Sequence, residues 1–322
     1  MKKNLLSVLA LAALLGLLVA CSNGAVPVGA QNEDVSTTQR AEAQGIHGFL
    51  TRVEYGDNIA YLFGDYWLAR SNKPSFAPIV EEAMQRTDVF FVRGDGTASD
   101  DPVFQEFLHG RILLPGDVTM ANYLPPDIYE KFVYYIESHN VDTWFLDVFV
   151  PTMIVGTGIP LEMAGKLNAE MFSVGNFIED YATAAGLPTY AFLDPFWISY
   201  VLNPVSDEIQ FAAAQTVTHM EDTLLRLEAI LSAYEQQNET LLIEMLRSPI
   251  YDGMNAYKRH LAEVDLLFAE EFRLGIAELL RETEEPTTFF IPTRIENIIG
   301  DDDANIIRLL ERDGFVITRL YE

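Results

Sequence analysis

Two long apolar stripes in the second half of the chain do most to limit its fold. Ala213, Val217, Met220, Leu224, Leu227, Leu231 and Tyr234 recur at spacings of four and three, which places them on one face of a helix. Tyr257, Leu261, Val264, Phe268, Phe272, Ile276 and Leu279 form a second stripe, interrupted only mildly by Gly275. Such stripes read as core faces or a helix hairpin rather than as a free coiled coil. Short apolar runs lie before and after them. Residues 49–53 and 59–63 flank Gly56-Asp57-Asn58 and read as a β-hairpin. Residues 89–92, 189–193, 288–291 and 315–318 are strand-length runs.

Further helices are expected over 75–86, 127–138, 176–185 (stopped at Gly186) and 304–312 (stopped at Gly314). Residues 147–163 are apolar but carry Pro151, Gly156, Gly158 and Pro160, and read as two short pieces; residues 96–125 show no legible order. The pattern predicts an α/β fold of the mixed α+β kind. One sheet of short strands, opened by the N-terminal hairpin, is covered by helices, and a long helical insertion precedes a C-terminal strand–helix–strand.

The first residues are of another kind. Lys2 and Lys3 precede an almost wholly apolar run from 5 to 18, and Leu18-Val19-Ala20-Cys21 follows. A basic start, a short apolar core and small residues at a cut site make a secretory signal peptide over 1–20. The Leu-x-Ala-Cys ending resembles the lipobox of bacterial lipoproteins. The resemblance implies cleavage before Cys21, acyl chains of the palmitate kind on it, and a lipid bilayer as partner. Cys21 is the single cysteine, so no intrachain disulfide can form and lipidation explains an otherwise unpaired thiol. Residues 21–45 are poor in large apolar side chains and rich in Ser, Asn, Gln, Thr, Ala and Gly, as in a solvated tether. The folded domain then occupies 46–322. The expected location is the cell envelope. Ser22 lacks the acidic character that retains lipoproteins at an inner membrane, which leans toward the outer membrane, at its periplasmic or surface face, in a cell with two.

The formal net charge is −27, and losing Lys2 and Lys3 deepens it by two. Nucleic acid is thereby excluded as a partner, because phosphate contacts need Lys and Arg. None of the five histidines, His47, His109, His139, His219 and His260, falls in a metalloprotease spacing. Asp301-Asp302-Asp303 lacks the Gly and Glu of a calcium loop and reads as helix-start carboxylates. No Gly-x-Ser-x-Gly elbow and no Gly-rich phosphate loop is present.

The order of elements resembles the TraB/GumN family. The carrying residues are Tyr61-Leu62-Phe63-Gly64-Asp65-Tyr66-Trp67 after the hairpin, Thr87-Asp88-Val89-Phe90-Phe91-Val92 after the first helix, and Gly186-Leu187-Pro188-Thr189-Tyr190 leading to Phe192-Leu193-Asp194. Near the end come Asn297-Ile298-Ile299-Gly300 and Leu309 to Ile317. The resemblance spans about 46–320 and implies a metal-dependent hydrolase ancestry, with histidines and glutamates that bind the ion and activate water. This chain departs from that set. The first Gly-x-x-His is Gly64-x-x-Trp67, the strand-ending Glu is Arg93, the Gly-Leu-Glu carboxylate is the shorter Asp194, and the second motif is Arg294-x-x-Asn297. Arg259 on the long helix matches a family arginine.

An indole has no lone pair to give a metal, and zinc-type catalysis needs about three N, O or S ligands and a water. The expectation is therefore a pseudoenzyme without cofactor, whose old cleft, lined by Trp67, Arg93, Asp194, Arg294 and Asn297, holds a peptide or a carboxylate ligand. Two alternatives stay open. One is a hydrolase using a divalent metal at a rearranged site built from Asp65, Asp194, His260 and Asp301. The other is a structural envelope lipoprotein with no pocket.

Overall fold

The structure, a computed structural model, describes residues 48–66, 68–70, 76–92, 106, 109–138, 143, 146, 148–171, 174–192, 206–217, 223–247, 256–301 and 303–321. The expectations that rest on Cys21, the signal peptide, the tether, Trp67, Arg93 and Asp194 lie outside those residues.

The hairpin comes first. Strands β1 (Phe49–Tyr55) and β2 (Asn58–Asp65) pair antiparallel from Tyr55↔Asn58 to Phe49↔Gly64. Gly56, at φ +58°, takes the left-handed conformation that so tight a turn requires. Strand β3 (Leu68–Ala69) is followed by helix α1 (Pro78–Gln85), whose first position is a proline that needs no N–H there. Then come β4 (Val89–Val92), a helical turn at Met120–Tyr123, and α2 (Pro126–Ser138).

Residues 151–166 correct the expectation of two broken pieces. Pro151–Met153, a π-helical stretch Ile154–Gly158 and α3 (Ile159–Lys166) follow one another without a gap. Pro160 cannot donate to the carbonyl four residues back, and a wider helical turn just before it absorbs that loss without ending the helix.

Strand β5 (Glu170–Met171) pairs with β3 in a separate ribbon, which the sequence did not suggest. Helix α4 (Val174–Ala185) ends at Gly186, φ +69°, and leads into β6 (Thr189–Ala191). Of the first apolar stripe, Ala213 and Val217 lie on α5 (Asp207–Val217) and Leu224, Leu227, Leu231 and Tyr234 on α6 (Thr223–Glu235), while Met220 lies outside the described residues. A third helix, α7 (Glu239–Arg247), was not anticipated; the Asn238 side chain accepts from Leu241 N (3.1 Å) at its start. The second stripe is one helix, α8 (Ala256–Glu282), with Tyr257, Val264, Phe268, Phe272 and Ile276 buried. Leu261 departs from the expectation and is 40% exposed. Strand β7 (Thr288–Arg294), a 3₁₀ turn (Ile295–Asn297), α9 (Ile306–Arg312) and β8 (Val316–Arg319) close the chain. Helix α9 starts two residues later than expected, because Asn305 is its N-cap and accepts from Arg308 N at 2.9 Å.

The main sheet has the order β6-β4-β7-β2-β1-β8. Strands β6, β4, β7 and β2 are mutually parallel; β1 runs against β2, and β8 runs against β1. Alternation along the strands feeds two cores, as parallel strands buried on both faces require. Phe49, Val53, Ala60, Leu62, Phe289 and Ile291 face the larger helical layer, which includes α2, α3, α5, α6, α8 and α9. Leu50, Tyr61, Phe63, Phe90, Val92 and Phe290 face α1 and α4. Asn58 ties the layers together: its Nδ2 donates to Leu280 O (3.0 Å) and Thr283 O (2.8 Å), and its Oδ1 accepts from Thr287 N (2.9 Å). That satisfies carbonyls at the C-terminal end of α8 that have no partner within the helix. Among the described residues, no helix is long and apolar enough to cross a membrane.

Candidate functional site

Because β2, β7, β4 and β6 run the same way, their C-terminal ends share one edge of the sheet. Open sheets with parallel strands bind ligands outside such an edge. Strand β2 ends there at Asp65, β7 at Arg294, β4 at Val92 and β6 at Ala191. The positions expected to carry chemistry are Gly64, inside the end of β2, Arg294, at the end of β7, Arg259, on α8, and Trp67, Arg93, Asp194 and Asn297, which follow the four strand ends in the sequence. Of the five expected ligand-binding residues, Arg294 and Asn297 are described.

Gly64 is kept for space. A β-carbon on it would lie 2.4 Å from Ile298 Cδ1 and 2.8 Å from Ile295 Cδ1. Its carbonyl accepts a buried hydrogen bond from Tyr234 Oη at 3.0 Å. The isoleucines of the second motif thus press directly on the glycine of the first.

Arg294 is the centre of the charge arrangement. It is the ladder partner of Asp65. Its Nη1 donates to Asp265 Oδ1 on α8 at 2.8 Å, and its Nε lies 3.6 Å from Glu296 Oε2 in the 3₁₀ turn. The guanidinium carbon is 5.9 Å from the Phe268 ring centre, within range of a cation–π interaction. Burial works against its charge, but Glu296 and Asp265 outweigh that and move its pKa up. Next to it, Tyr66 is buried, and its phenol is pushed well above the ordinary value by burial first and by Glu296 second, with Arg226 opposing.

Asn297, 1% exposed, donates to Ala304 O at 3.4 Å, while its Oδ1 is buried with no hydrogen-bond partner among the described residues. The Thr293 hydroxyl, on the adjoining rung beside Gly64, is also buried and has no partner among the described residues. Arg259 is exposed on α8, and at 1.5 Å rise per residue it lies about 9 Å along the axis from Asp265. His260, beside it, is half-buried; burial lowers its pKa and Glu263 partly offsets this. Asp65 is buried at the edge, and Asp301 is exposed in the loop before α9. The described members of the rearranged-hydrolase set thus sit on three separate elements.

Among the described residues, no group of three or more His, Cys, Asp or Glu is disposed to hold a metal, and a guanidinium already stands between Asp265 and Glu296. Sequence reasoning did not place Asp265, Glu296, Phe268, Tyr66 or Tyr234 in the site; Phe268 and Tyr234 read only as stripe positions and Tyr66 only as part of the first motif. A faint signal was available for two of them: Asp265 is a charge set inside an apolar stripe, and Glu296 follows Arg294 at a spacing of two.

A mixed, three-layered α/β domain with a site at the C-terminal edge of its parallel strands is the class that fold and site define. The model of the TraB/PrgY/gumN family matches residues 49–319, from the first residue of β1 to the last of β8. The chain belongs to that family. No curated protein and no solved structure matches it.

Proposed function

We propose that this family member is a lipid-anchored binding protein of the cell envelope that no longer carries out metal-dependent hydrolysis. The observation that carries the reading is Arg294. A permanently charged side chain stands at the start of the second family motif, paired with Asp265 and Glu296, where the family resemblance calls for metal chemistry. Arginine does not give up its proton in proteins, so this charge cannot be titrated away to admit a second cation. Asn297, at the motif's histidine position, has its amide nitrogen engaged with Ala304.

The anchoring half of the reading rests on Cys21 and the segment before it. The binding half rests on the edge that Arg294 shares with Asp65, on the Arg294 Nη2, which makes no hydrogen bond among the described residues, and on Trp67, Arg93 and Asp194 as residues of the sequence. A guanidinium with spare donors suits a carboxylate, such as a peptide terminus. The experiment is a paired assay on the purified protein. Peptides with free and with amidated C-termini are tested for binding by calorimetry and for cleavage by mass spectrometry, with zinc or manganese supplied. Binding of the free-carboxylate peptides without cleavage supports the proposal. Turnover that depends on the added ion overturns it.

A further inference from the structure

We propose that Arg294 is a tethered cation that pins the N-terminal half of α8 across the C-terminal edge of the sheet, holding in place one wall of the site. The proposal goes beyond the non-catalytic reading, because it concerns what the guanidinium holds rather than what it excludes.

The direction of α8 sets the geometry. Its C-terminal end is fixed at the start of the parallel strands by Asn58, which bonds Leu280 O, Thr283 O and Thr287 N. The helix therefore runs back over the sheet, where it packs on β2 and β1, and Asp265 meets Arg294 at the far end of β7. The nine residues from 256 to 264 project past this rung by about 13 Å at 1.5 Å each.

The projecting half buries little apolar surface. In residues 256–267 only Tyr257 and Val264 are buried, whereas 268–282 bury Phe268, Ala269, Phe272, Ile276, Ala277 and Leu280. Leu261, Leu266 and Leu267 are 40%, 44% and 55% exposed. With so little apolar surface removed from water, this half depends on polar ties more than the rest of the helix does. The Arg294 guanidinium meets the helix at Asp265 in this half, through an ion pair, and at the Phe268 ring, where the well-buried half begins. The same group is paired with Glu296, so one side chain links β7, the 3₁₀ turn and α8. A planar fork that can also lie against an aromatic ring suits this better than an ammonium point charge.

Hydrogen exchange on the full chain, with a chelator present, tests the pin. Arg294→Ala and Arg294→Met are compared with the wild type, and guanidinium chloride at low millimolar concentration is compared with sodium chloride of equal ionic strength. The expected result is faster exchange over 256–267 in both variants, unchanged exchange over 276–282, and recovery in Arg294→Ala by guanidinium but not by sodium. Unchanged exchange over 256–267, or a uniform rise along α8, overturns the proposal. Should Arg294→Ala fail to fold, Arg294→Met and Arg294→Lys carry the comparison, with lysine giving the smaller rise. Metal-dependent turnover in the wild type would sink the non-catalytic reading and leave this exchange result standing.

Discussion

The final rung of the parallel ladder between β2 and β7 sets Asp65 beside Arg294, a buried carboxylate next to a partly exposed guanidinium. Each stands at the end of its strand, and each belongs to one of the two motifs that align with the family's chemistry. The two motifs therefore meet in space as neighbours on one sheet edge, and substitutions there report on packing and charge together.

Gly64 tests the packing. Its missing β-carbon leaves room that Ile298 and Ile295 occupy at 2.4 and 2.8 Å. Gly64→Ala should cost about 1–3 kcal/mol, the usual range for overpacking a filled core. Urea denaturation measures it. Adding Ile298→Val, which removes the nearest methyl, should recover part of the loss, so the two changes should not be additive.

Asn305 tests the start of α9. The side chain accepts from Arg308 N and donates to Ile299 O and Gly300 O, each at 2.9 Å. Loss of an N-cap side chain costs about 0.5–2 kcal/mol, and here two further bonds go with it. Asn305→Ala should therefore fall at or above the top of that range, while Asn305→Asp, which keeps the acceptor and loses the donor, should fall between that variant and the wild type. Thermal and urea unfolding of the two variants give the order.

His260 tests a pH dependence. Burial holds its pKa below the ordinary 6.5, with Glu263 acting the other way. The unfolded chain then takes up its proton at a higher pH than the folded chain does. Its contribution to stability is present above 6.5 and is lost as pH falls through the depressed folded value. Glu235, whose pKa burial raises, contributes in the opposite sense around its own range, so the comparison must be made against His260→Gln. The stability difference between wild type and variant should be flat at neutral pH and should shift against the wild type on acidification below 6.5.

Cys21 tests the anchor. Mass spectrometry of the detergent-extracted protein should find a mature N-terminus at residue 21 carrying acyl chains, and Cys21→Ser should leave the lipid-extractable fraction. An unmodified thiol on a membrane-associated chain would contradict the lipid anchor.

Much of the fold was legible because its signals are local. The hairpin turn needs Gly56, and β4 is a four-residue apolar run whose bounds the structure repeats. The second stripe gives α8 nearly end to end, since 3.6-residue periodicity over so long a segment has no competing reading. Misreadings arose where a local rule met a tertiary exception. Pro151 and Pro160 read as breaks, and a π-helical stretch between them carries the helix on. Leu261 fits the stripe by spacing, yet the core does not extend to cover it. In the site, single positions such as Gly64, Arg294 and Asn297 could be named from motif spacing. Their partners could not, because Asp265 and Arg294 are brought together by the run of α8 back over the sheet across a separation of 29 residues.

The most direct measurement of the central claim is the number of metal ions per chain. The protein would be purified, supplied with zinc and manganese, exchanged into metal-free buffer and analysed for bound elements. A guanidinium held between Asp265 and Glu296 should leave far less than one ion per chain, in the wild type and equally after Asp65→Asn. One tightly held ion per chain, lost on substitution of Asp65 or Asp265, would contradict the account.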